Sequence, residues 1–227
     1  MSTGNVWDEG YPSGGNYWAC HVSIDSFGGP QQNAQGADGI VDVPFTVAPG
    51  NIDHYPLLEP FNLHNVGTTR FLLSKTVVGK PFSVKLNLTV QNLGMFTEQF
   101  TLTVLVNTAL LTQQTISLSL RQSNTVIVVW DTTSVAKGNY TLKAATTAVP
   151  DETETSDNTL CRWVVVTISG DINGDFIVDI YDAILLANVY NTQPSGPNWN
   201  PNADINGDGI VDIYDAIILA GNYGKTA

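Results

Sequence analysis

The sequence predicts a multidomain, mainly β chain that ends in a small α-helical module. Two observations lead to this fold class. Residues 62–169 alternate between apolar and polar side chains in about seven runs separated by turn residues, which is typical of an antiparallel β-sandwich. Residues 171–223 contain a loop-and-helix pattern twice. A glycine-rich segment precedes both, so we expect three regions: 1–61, 62–169 and 170–227.

The formal net charge of −12 is concentrated at the two ends of the chain. Residues 1–61 contain seven acidic residues and no lysine or arginine, and residues 170–227 contain eight aspartates and one lysine. Acidic ends repel nucleic-acid phosphates and anionic lipid but attract divalent cations, so we expect no nucleic-acid partner. No run of about 18 apolar residues is present, and we expect no membrane span.

The middle region has the period of half-buried strands. Strict alternation covers 82–90, 100–106 and 116–120, and further apolar runs lie at 70–78, 125–130, 139–147 and 159–168. This pattern predicts an Ig-like β-sandwich. Tyr140 follows Gly138 at the start of one run, and it is either the tyrosine of a tyrosine corner or part of an ordinary hairpin entry.

The strongest internal signal is a repeat. Residues 171–190 and 204–223 are identical at 16 of 20 positions. Each copy begins with Asp, Asn and Gly and ends in an apolar run at helical spacing, which predicts a loop followed by one helix. The connector 191–203 contains three prolines and is predicted to be a loop.

Each predicted loop offers oxygen ligands at the spacing of an EF-hand. Such a loop binds Ca²⁺ through positions 1, 3, 5, 7, 9 and 12. The first loop offers Asp171, Asn173, Asp175, the carbonyl of Ile177, Asp179 and Asp182. The second offers Asp204, Asn206, Asp208, the carbonyl of Ile210, Asp212 and Asp215. Helix capping alone needs only one or two acidic residues, so the pattern predicts two Ca²⁺ sites.

The two predicted Ca²⁺ sites are expected to control the folding of residues 170–227. Four carboxylates in each loop repel one another without metal, and 58 residues are marginal for an autonomous core. We therefore expect residues 170–227 to be largely disordered or molten in chelator and to fold with Ca²⁺. Position 6 is Gly209 in the second loop but Phe176 in the first, and a bulky residue at positive φ costs about 1–2 kcal/mol. The first site is therefore expected to be weaker.

Val178 and Val211, at position 8, are expected to enter the core and pair the two loops.

The doubled D-x-N-x-D-x-x-x-D-x-x-D loop, each copy followed by one helix, resembles the dockerin family. The resemblance covers residues 170–227 and implies a calcium-dependent module that docks on a cohesin-like protein domain. Positions 10 and 11 depart from the small hydroxylated contact residues of many dockerins. They are Ile180, Tyr181, Ile213 and Tyr214. These pairs are either a docking surface or the face that packs on the sandwich, so cohesin binding does not follow directly.

The other two regions carry looser resemblances. The middle region resembles CARDB-type Ig-like domains of bacterial and archaeal surface proteins, through residues 84–94, the turn 130–133 and the acidic loop 150–158. The N-terminal region resembles the C-terminal end of periplasmic copper-binding-type parallel β-helix proteins, through residues 15–18, 37–42 and 51–57. Copper itself is not implied, because no Cys, His and Met cluster is present. Together these resemblances imply a secreted or cell-surface protein, and an upstream β-helix is expected in a longer parent chain.

Several residues outside the loops are candidate sites. Asp25, Asp38 and Asp42 form either a third Ca²⁺ site or a plain acidic loop. Asn87 and Asn139 begin glycosylation sequons. Cys20 and Cys161 are either buried free thiols or one disulfide that ties the N-terminal region to the sandwich.

The sequence does not predict an enzyme. The three histidines have no spaced catalytic partner, and the carboxylates lie in calcium loops or turns. The favoured function is a secreted or cell-surface calcium-binding module for protein–protein assembly or adhesion, in which Ca²⁺ folds and rigidifies the C-terminal region. Two alternatives stay open: the dockerin-bearing part of a secreted polysaccharide-degrading enzyme, and a carbohydrate-binding β-sandwich with a polysaccharide ligand.

Overall fold

The computed structural model describes residues 7–21, 23–58 and 63–227 and divides the chain into two compact units, 1–62 and 63–227. The boundary predicted at residues 61–62 lies outside the described residues. Among the described residues, no helix has the length and apolar character needed to cross a membrane.

The N-terminal unit contains two short antiparallel hairpins. Strands β1 (Phe27–Gly28) and β2 (Ala34–Gln35) form the first, and β3 (Phe45–Ala48) and β4 (Asn51–Asp53) form the second. The fully buried carboxylate of Asp53 organises this unit by accepting hydrogen bonds from the backbone N–H of Asn16 at 2.7 Å and from the Trp18 indole at 2.8 Å.

The second unit begins with an eight-stranded sandwich, which confirms the mainly β fold class. Its strands are β5 (Val66–Leu73), β6 (Val77–Lys80), β7 (Ser83–Asn92), β8 (Glu98–Val106), β9 (Ala109–Leu118), β10 (Ser123–Asp131), β11 (Gly138–Thr146) and β12 (Thr159–Ile168). One sheet has the order β10-β7-β5, and the other has the order β6-β12-β11-β8-β9. All neighbours are antiparallel except β6 and β12, which are parallel.

The alternation seen in the sequence matches the burial of the strands. Along β7, Val84, Leu86 and Leu88 are fully buried, and the residues between them face outward or are partly exposed. Inward-facing side chains from both sheets form one continuous core that includes Phe71, Leu102 and Trp130. Burial of such apolar area stabilises the sandwich by about 25 cal/mol for each Å² removed from water.

Tyr140 forms the predicted corner interaction. Its hydroxyl donates a 2.8 Å hydrogen bond to the carbonyl of Ala136, four residues earlier, and its ring packs edge-on against Trp130. A hydrogen bond from a tyrosine back to the preceding backbone is the feature that defines a tyrosine corner.

The strand predicted at 70–78 is in fact two strands. β5 ends at Leu73 and β6 begins at Val77, and they lie in different sheets. Residues 74–76 form the turn that carries the chain from one sheet to the other. The polar residues 74–76 mark this break in the sequence, and the apolar residues on both sides of it are buried in the same core.

Two short helices follow the sandwich, α1 (Ile180–Asn188) and α2 (Ile213–Asn222). Each has a capping box, in which the first aspartate (Asp179 or Asp212) and the aspartate three residues later satisfy backbone donors reciprocally. Their buried positions, together with Ile172, Val178, Ile205 and Val211, form a second core. The side chain of Phe82 contacts both cores and so joins the sandwich to the helical module.

The apolar run of the first repeat contains exposed as well as buried residues. Ile184, on α1, and Tyr190, just after the helix, are about half exposed, whereas Leu186 and the C-cap residue Val189 are buried. The apolar run covers more than one face of the helix, so its periodicity alone does not select the inward face.

Candidate calcium loops and docking surface

The first loop is organised by a buried carboxylate at its first position. Asp171 accepts a hydrogen bond from the backbone N–H of Gly174 at 2.7 Å and another from that of Phe176 at 2.8 Å. Its second oxygen also accepts a 2.6 Å hydrogen bond from the hydroxyl of Thr167, on β12. These bonds fix the loop's turn on the last strand of the sandwich.

The carboxylate at position 12 closes the same loop. Asp182 is fully buried and accepts hydrogen bonds from the backbone N–H groups of Ile172 at 2.8 Å and Asn173 at 3.2 Å. Its other oxygen accepts one from Asp179 at 2.9 Å. One side chain in the first turn of α1 therefore connects the beginning of the loop to its end.

The second loop repeats this arrangement almost bond for bond. Asp204 accepts hydrogen bonds from the backbone N–H groups of Gly207 at 2.8 Å and Gly209 at 3.1 Å. Asp215 accepts from Ile205 at 2.7 Å, from Asn206 at 3.1 Å and from Asp212 at 2.9 Å. The sequence repeat is thus a structural repeat.

The amide and carboxylate at positions 3 and 5 also contact each other. The side-chain N–H of Asn173 donates to Asp175 at 2.9 Å, and that of Asn206 donates to Asp208 at 2.9 Å. Among the described residues, no three His, Cys, Asp or Glu side chains have converged at metal-binding spacing. In both loops the carboxylates are bound to backbone N–H groups.

The electrostatics and the donors of both loops suit a hard cation. Burial raises the pKa of the Asp171 carboxyl, and the nearby Asp182 raises it further, while hydrogen bonds from Thr167, Gly174 and Phe176 act in the opposite direction. Burial likewise raises the pKa of Asp215, with Asp204 as the neighbouring like charge. Desolvated carboxylates beside one another favour a bound cation, and an all-oxygen donor set suits Ca²⁺. The predicted ligands therefore fit that ion, although their individual roles stay a prediction.

The two loops differ at position 6 as expected. Phe176 has a φ of 72° and Gly209 a φ of 93°. Only the first loop places a bulky side chain in this left-handed region, where a residue with a Cβ is strained.

The position-8 valines are fully buried, and both side chains lie in the second core. The backbone N–H of Val178 donates to the carbonyl of Lys225 at 3.0 Å, and that of Val211 donates to Thr192 at 3.1 Å. Each loop therefore pairs with the segment that follows the other loop's helix. The two side chains thus enter the core as expected, and pairing of the loops through them stays a prediction.

The Ile-Tyr pairs lie on the surface. Ile180 and Ile213 are each 54% exposed, Tyr181 is 65% exposed and Tyr214 is 63% exposed. The interpretation that these pairs pack on the sandwich is therefore wrong. The sandwich contacts the loops through Thr167 and the 74–76 turn instead, which leaves the first turn of both helices free.

The N-terminal acidic residues are brought together but bind backbone groups. Asp25 accepts hydrogen bonds from the N–H groups of Asp38 at 3.2 Å and Gly39 at 2.7 Å, and Asp42 accepts from those of Ser26 at 3.0 Å and Phe27 at 3.1 Å. A third Ca²⁺ site there stays a prediction.

The remaining candidate residues are accessible. Asn87 and Asn139 are exposed on their strands, and glycosylation of either stays a prediction. Cys20 and Cys161 are free thiols and both are exposed, so the expected burial is wrong. Cys161 lies on the outward side of β12, where alternation places it. Because the two cysteines belong to different compact units, a disulfide between them stays a prediction.

Sequence reasoning missed Thr167 and Lys75, which connect the sandwich to the two loops. Thr167 contacts Asp171, and Lys75 donates to backbone carbonyls of the second loop. Lys75 interrupts an apolar run in the sequence, and this interruption is the one signal that pointed to a special role.

Comparison with known proteins identifies the C-terminal region. Residues 169–222 match the family model of the dockerin type I domain. No curated protein matches the chain. The chain is similar to the CARDB domain of a Pyrococcus furiosus protein in complex with di-metal ions, with 22% identity and a TM-score of 0.43 over 48% of this chain and 99% of that one.

Two further solved structures are similar over about half of the chain. A domain of a putative cell surface protein from Methanosarcina acetivorans shows 23% identity and a TM-score of 0.36, over 46% of this chain and 92% of that one. A β-glucosidase from Listeria innocua shows 12% identity and a TM-score of 0.35, over 54% of this chain and 19% of that one.

The chain thus carries a dockerin type I region at its C-terminal end, after an Ig-like sandwich. Dockerin type I domains bind calcium and dock on protein partners. Dockerin and CARDB domains are non-catalytic modules, and dockerins are typically extracellular or at the cell surface.

Proposed function

We propose that this protein is a secreted or cell-surface assembly module in which two Ca²⁺ ions order the C-terminal loops and the Ile-Tyr pairs dock on a protein partner. The observation that supports this proposal is the pair of aromatic side chains, Tyr181 and Tyr214, that are mostly exposed beside the loops. Contiguous apolar patches on the surface of a monomer mark interaction sites, and aromatic residues are enriched among the side chains that dominate binding there.

The proposed role of Ca²⁺ is to fix this surface. Tyr181 is the second residue of α1, and its backbone N–H is capped by the position-9 ligand Asp179 at 2.8 Å. Tyr214 and Asp212 repeat this contact at 2.8 Å. Because each tyrosine is attached directly to a loop ligand, ordering of the loop by metal orients the tyrosine as well.

The proposed partner is a cohesin-like domain or a second copy of this chain. Full-length protein is examined by light scattering after chromatography, in millimolar Ca²⁺ and in EDTA, alone and with a cohesin-like domain. We expect a Ca²⁺-dependent complex that the double variant Tyr181→Ala/Tyr214→Ala loses. A protein that stays monomeric and binds no cohesin-like domain in Ca²⁺ contradicts the proposal.

A polysaccharide ligand of the sandwich is a second candidate, favoured by Trp163. This side chain is 71% exposed on β12 and borders an open, mainly apolar groove of about 690 Å³ that Asn139 and Arg162 also line. An exposed indole with polar groups beside it suits the flat apolar face of a sugar ring. Sedimentation with insoluble polysaccharides tests it. Trp163→Ala is expected to abolish binding, while the double tyrosine variant is the matched control that retains it.

A further inference from the structure

Lys75 has an unusual environment in the turn between β5 and β6. Only 4% of the residue is exposed, and its ammonium donates hydrogen bonds to the backbone carbonyl of Asp204 and, at 3.2 Å, to that of Ile205. These are positions 1 and 2 of the second loop. A buried ammonium is costly unless it is hydrogen-bonded, so this contact holds both the lysine and the entry of the loop in place.

Asn202 makes the reciprocal contact from the module to the same turn. Its side-chain oxygen accepts hydrogen bonds from the backbone N–H of Thr76 at 2.9 Å and of Val77 at 3.1 Å. Its amide nitrogen donates to the Thr76 hydroxyl at 3.2 Å. The start of strand β6 is therefore satisfied by a side chain located two residues before the first predicted ligand.

These contacts connect a sandwich turn to the loop entry in both directions. Lys75 and Asp204 are separated by 129 residues in the sequence. The loop entry carries the predicted ligands Asp204 and Asn206, so an ion that fixes these residues also fixes the groups that hold the turn. Coupling between two parts of a protein requires such a physical connection, and it acts equally in both directions.

We propose that Lys75 and Asn202 form a clasp through which Ca²⁺ binding in the second loop stabilises the sandwich. This inference rests on the proposed function, since it requires the second loop to bind Ca²⁺. Lys75 is a positioning residue in this proposal, and it is not a metal ligand. The Ca²⁺-loaded module then forms one cooperative unit with the Ig-like domain, which rigidifies the junction between them.

Hydrogen exchange of the full-length chain tests the clasp, with Ca²⁺ binding measured separately by calorimetry. In the wild type we expect Ca²⁺ to slow amide exchange in β6 and β7 on the order of tenfold. Lys75→Met and Asn202→Ala are expected to lose most of this protection in the sandwich while the loops still bind Ca²⁺. Asn202→Asp keeps an oxygen acceptor for the two N–H groups and is expected to retain it.

Lys143→Met is the matched control, because it removes the same charge from a partly exposed position on β11, two strands away from β6 in the sheet. We expect this variant to behave like the wild type. If Lys75→Met is too unstable to study, the two Asn202 variants decide the question.

The possible failures are distinguishable. Absence of Ca²⁺ binding to the wild type overturns the proposed function and the clasp with it. Normal Ca²⁺ binding without added protection in the wild-type sandwich overturns the clasp alone. Unchanged protection in Lys75→Met and Asn202→Ala also overturns the clasp alone.

Discussion

The hydroxyl of Thr167, on the last strand of the sandwich, donates a buried 2.6 Å hydrogen bond to the carboxylate of Asp171, the first residue of the first predicted calcium loop. The Ig-like domain thus contributes directly to the geometry of the first predicted site. This contact leads to the first of four predictions.

Thr167→Val is expected to weaken Ca²⁺ binding by the first loop. The substitution keeps the side-chain shape but leaves a partly buried carboxylate oxygen without one donor, and a hydrogen bond to a charged group is worth about 1.5–3 kcal/mol. Calorimetric titration is expected to show a loss of roughly tenfold at one site with the other unchanged. Thr167→Ser retains the hydroxyl and is the control. Equal affinities in the valine variant and the wild type would contradict the role of this contact.

Gly209→Ala is expected to destabilise the Ca²⁺-loaded protein by about 1 kcal/mol. Open space surrounds the position that the new Cβ would occupy, so the loss comes from the backbone φ of 93° alone. The reciprocal change, Phe176→Gly, removes a bulky residue from a φ of 72° in the first loop and is expected to raise the affinity of that loop for Ca²⁺. Denaturant unfolding and calorimetry measure the two effects. A neutral Gly209→Ala would show that the turn tolerates a side chain.

Removal of Ca²⁺ is expected to melt α1 and α2 while the sandwich persists. The second core is small, and without metal four carboxylates in each loop repel one another. Far-ultraviolet circular dichroism of the full-length protein in EDTA is expected to lose its helical component, and exchange of the α1 and α2 amides to accelerate. Retention of protected helices in EDTA would show that packing on the sandwich suffices to fold the module.

The stabilisation by Ca²⁺ is expected to shrink on acidification. Burial raises the pKa of Asp171 and Asp215 above the usual 3.8 in the folded, metal-free state. The folded state therefore binds protons more tightly than the unfolded state, and these groups stabilise the metal-free fold as the pH falls from above the raised pKa towards 3.8. Protons compete with Ca²⁺ over the same interval.

The difference between unfolding temperatures measured with and without Ca²⁺ isolates this effect from carboxyls elsewhere. We expect the difference in unfolding temperature to be large at neutral pH. It is expected to fall as the pH drops below the raised pKa of these two carboxyls. A difference that stays constant down to 3.8 would show that these two carboxylates do not bind the ion.

The sequence predicted the parts of the structure that depend on consecutive residues. The alternation in β7 indicated which side chains face the core, and the spacing of Asp171, Asn173 and Asp175 indicated a turning loop. Prediction from the sequence failed where one local pattern is compatible with several different structures. The run at 70–78 is predicted as one strand although the polar residues 74–76 separate its two apolar halves, and Ile184 lies in an apolar stretch of α1, 183–187, of which only part is buried.

Local sequence was enough to predict the Ig-like strand pattern, the duplicated acidic loops and the helix that follows each loop, because side-chain alternation, loop chemistry and capping act between near neighbours in the chain. The exposed face of each helix, the contact of Thr167 with Asp171 and the contact of Lys75 with the second loop become visible only in the folded molecule. These contacts join residues up to 130 positions apart. Their formation depends on how the sandwich and the module pack, and no local pattern encodes that packing.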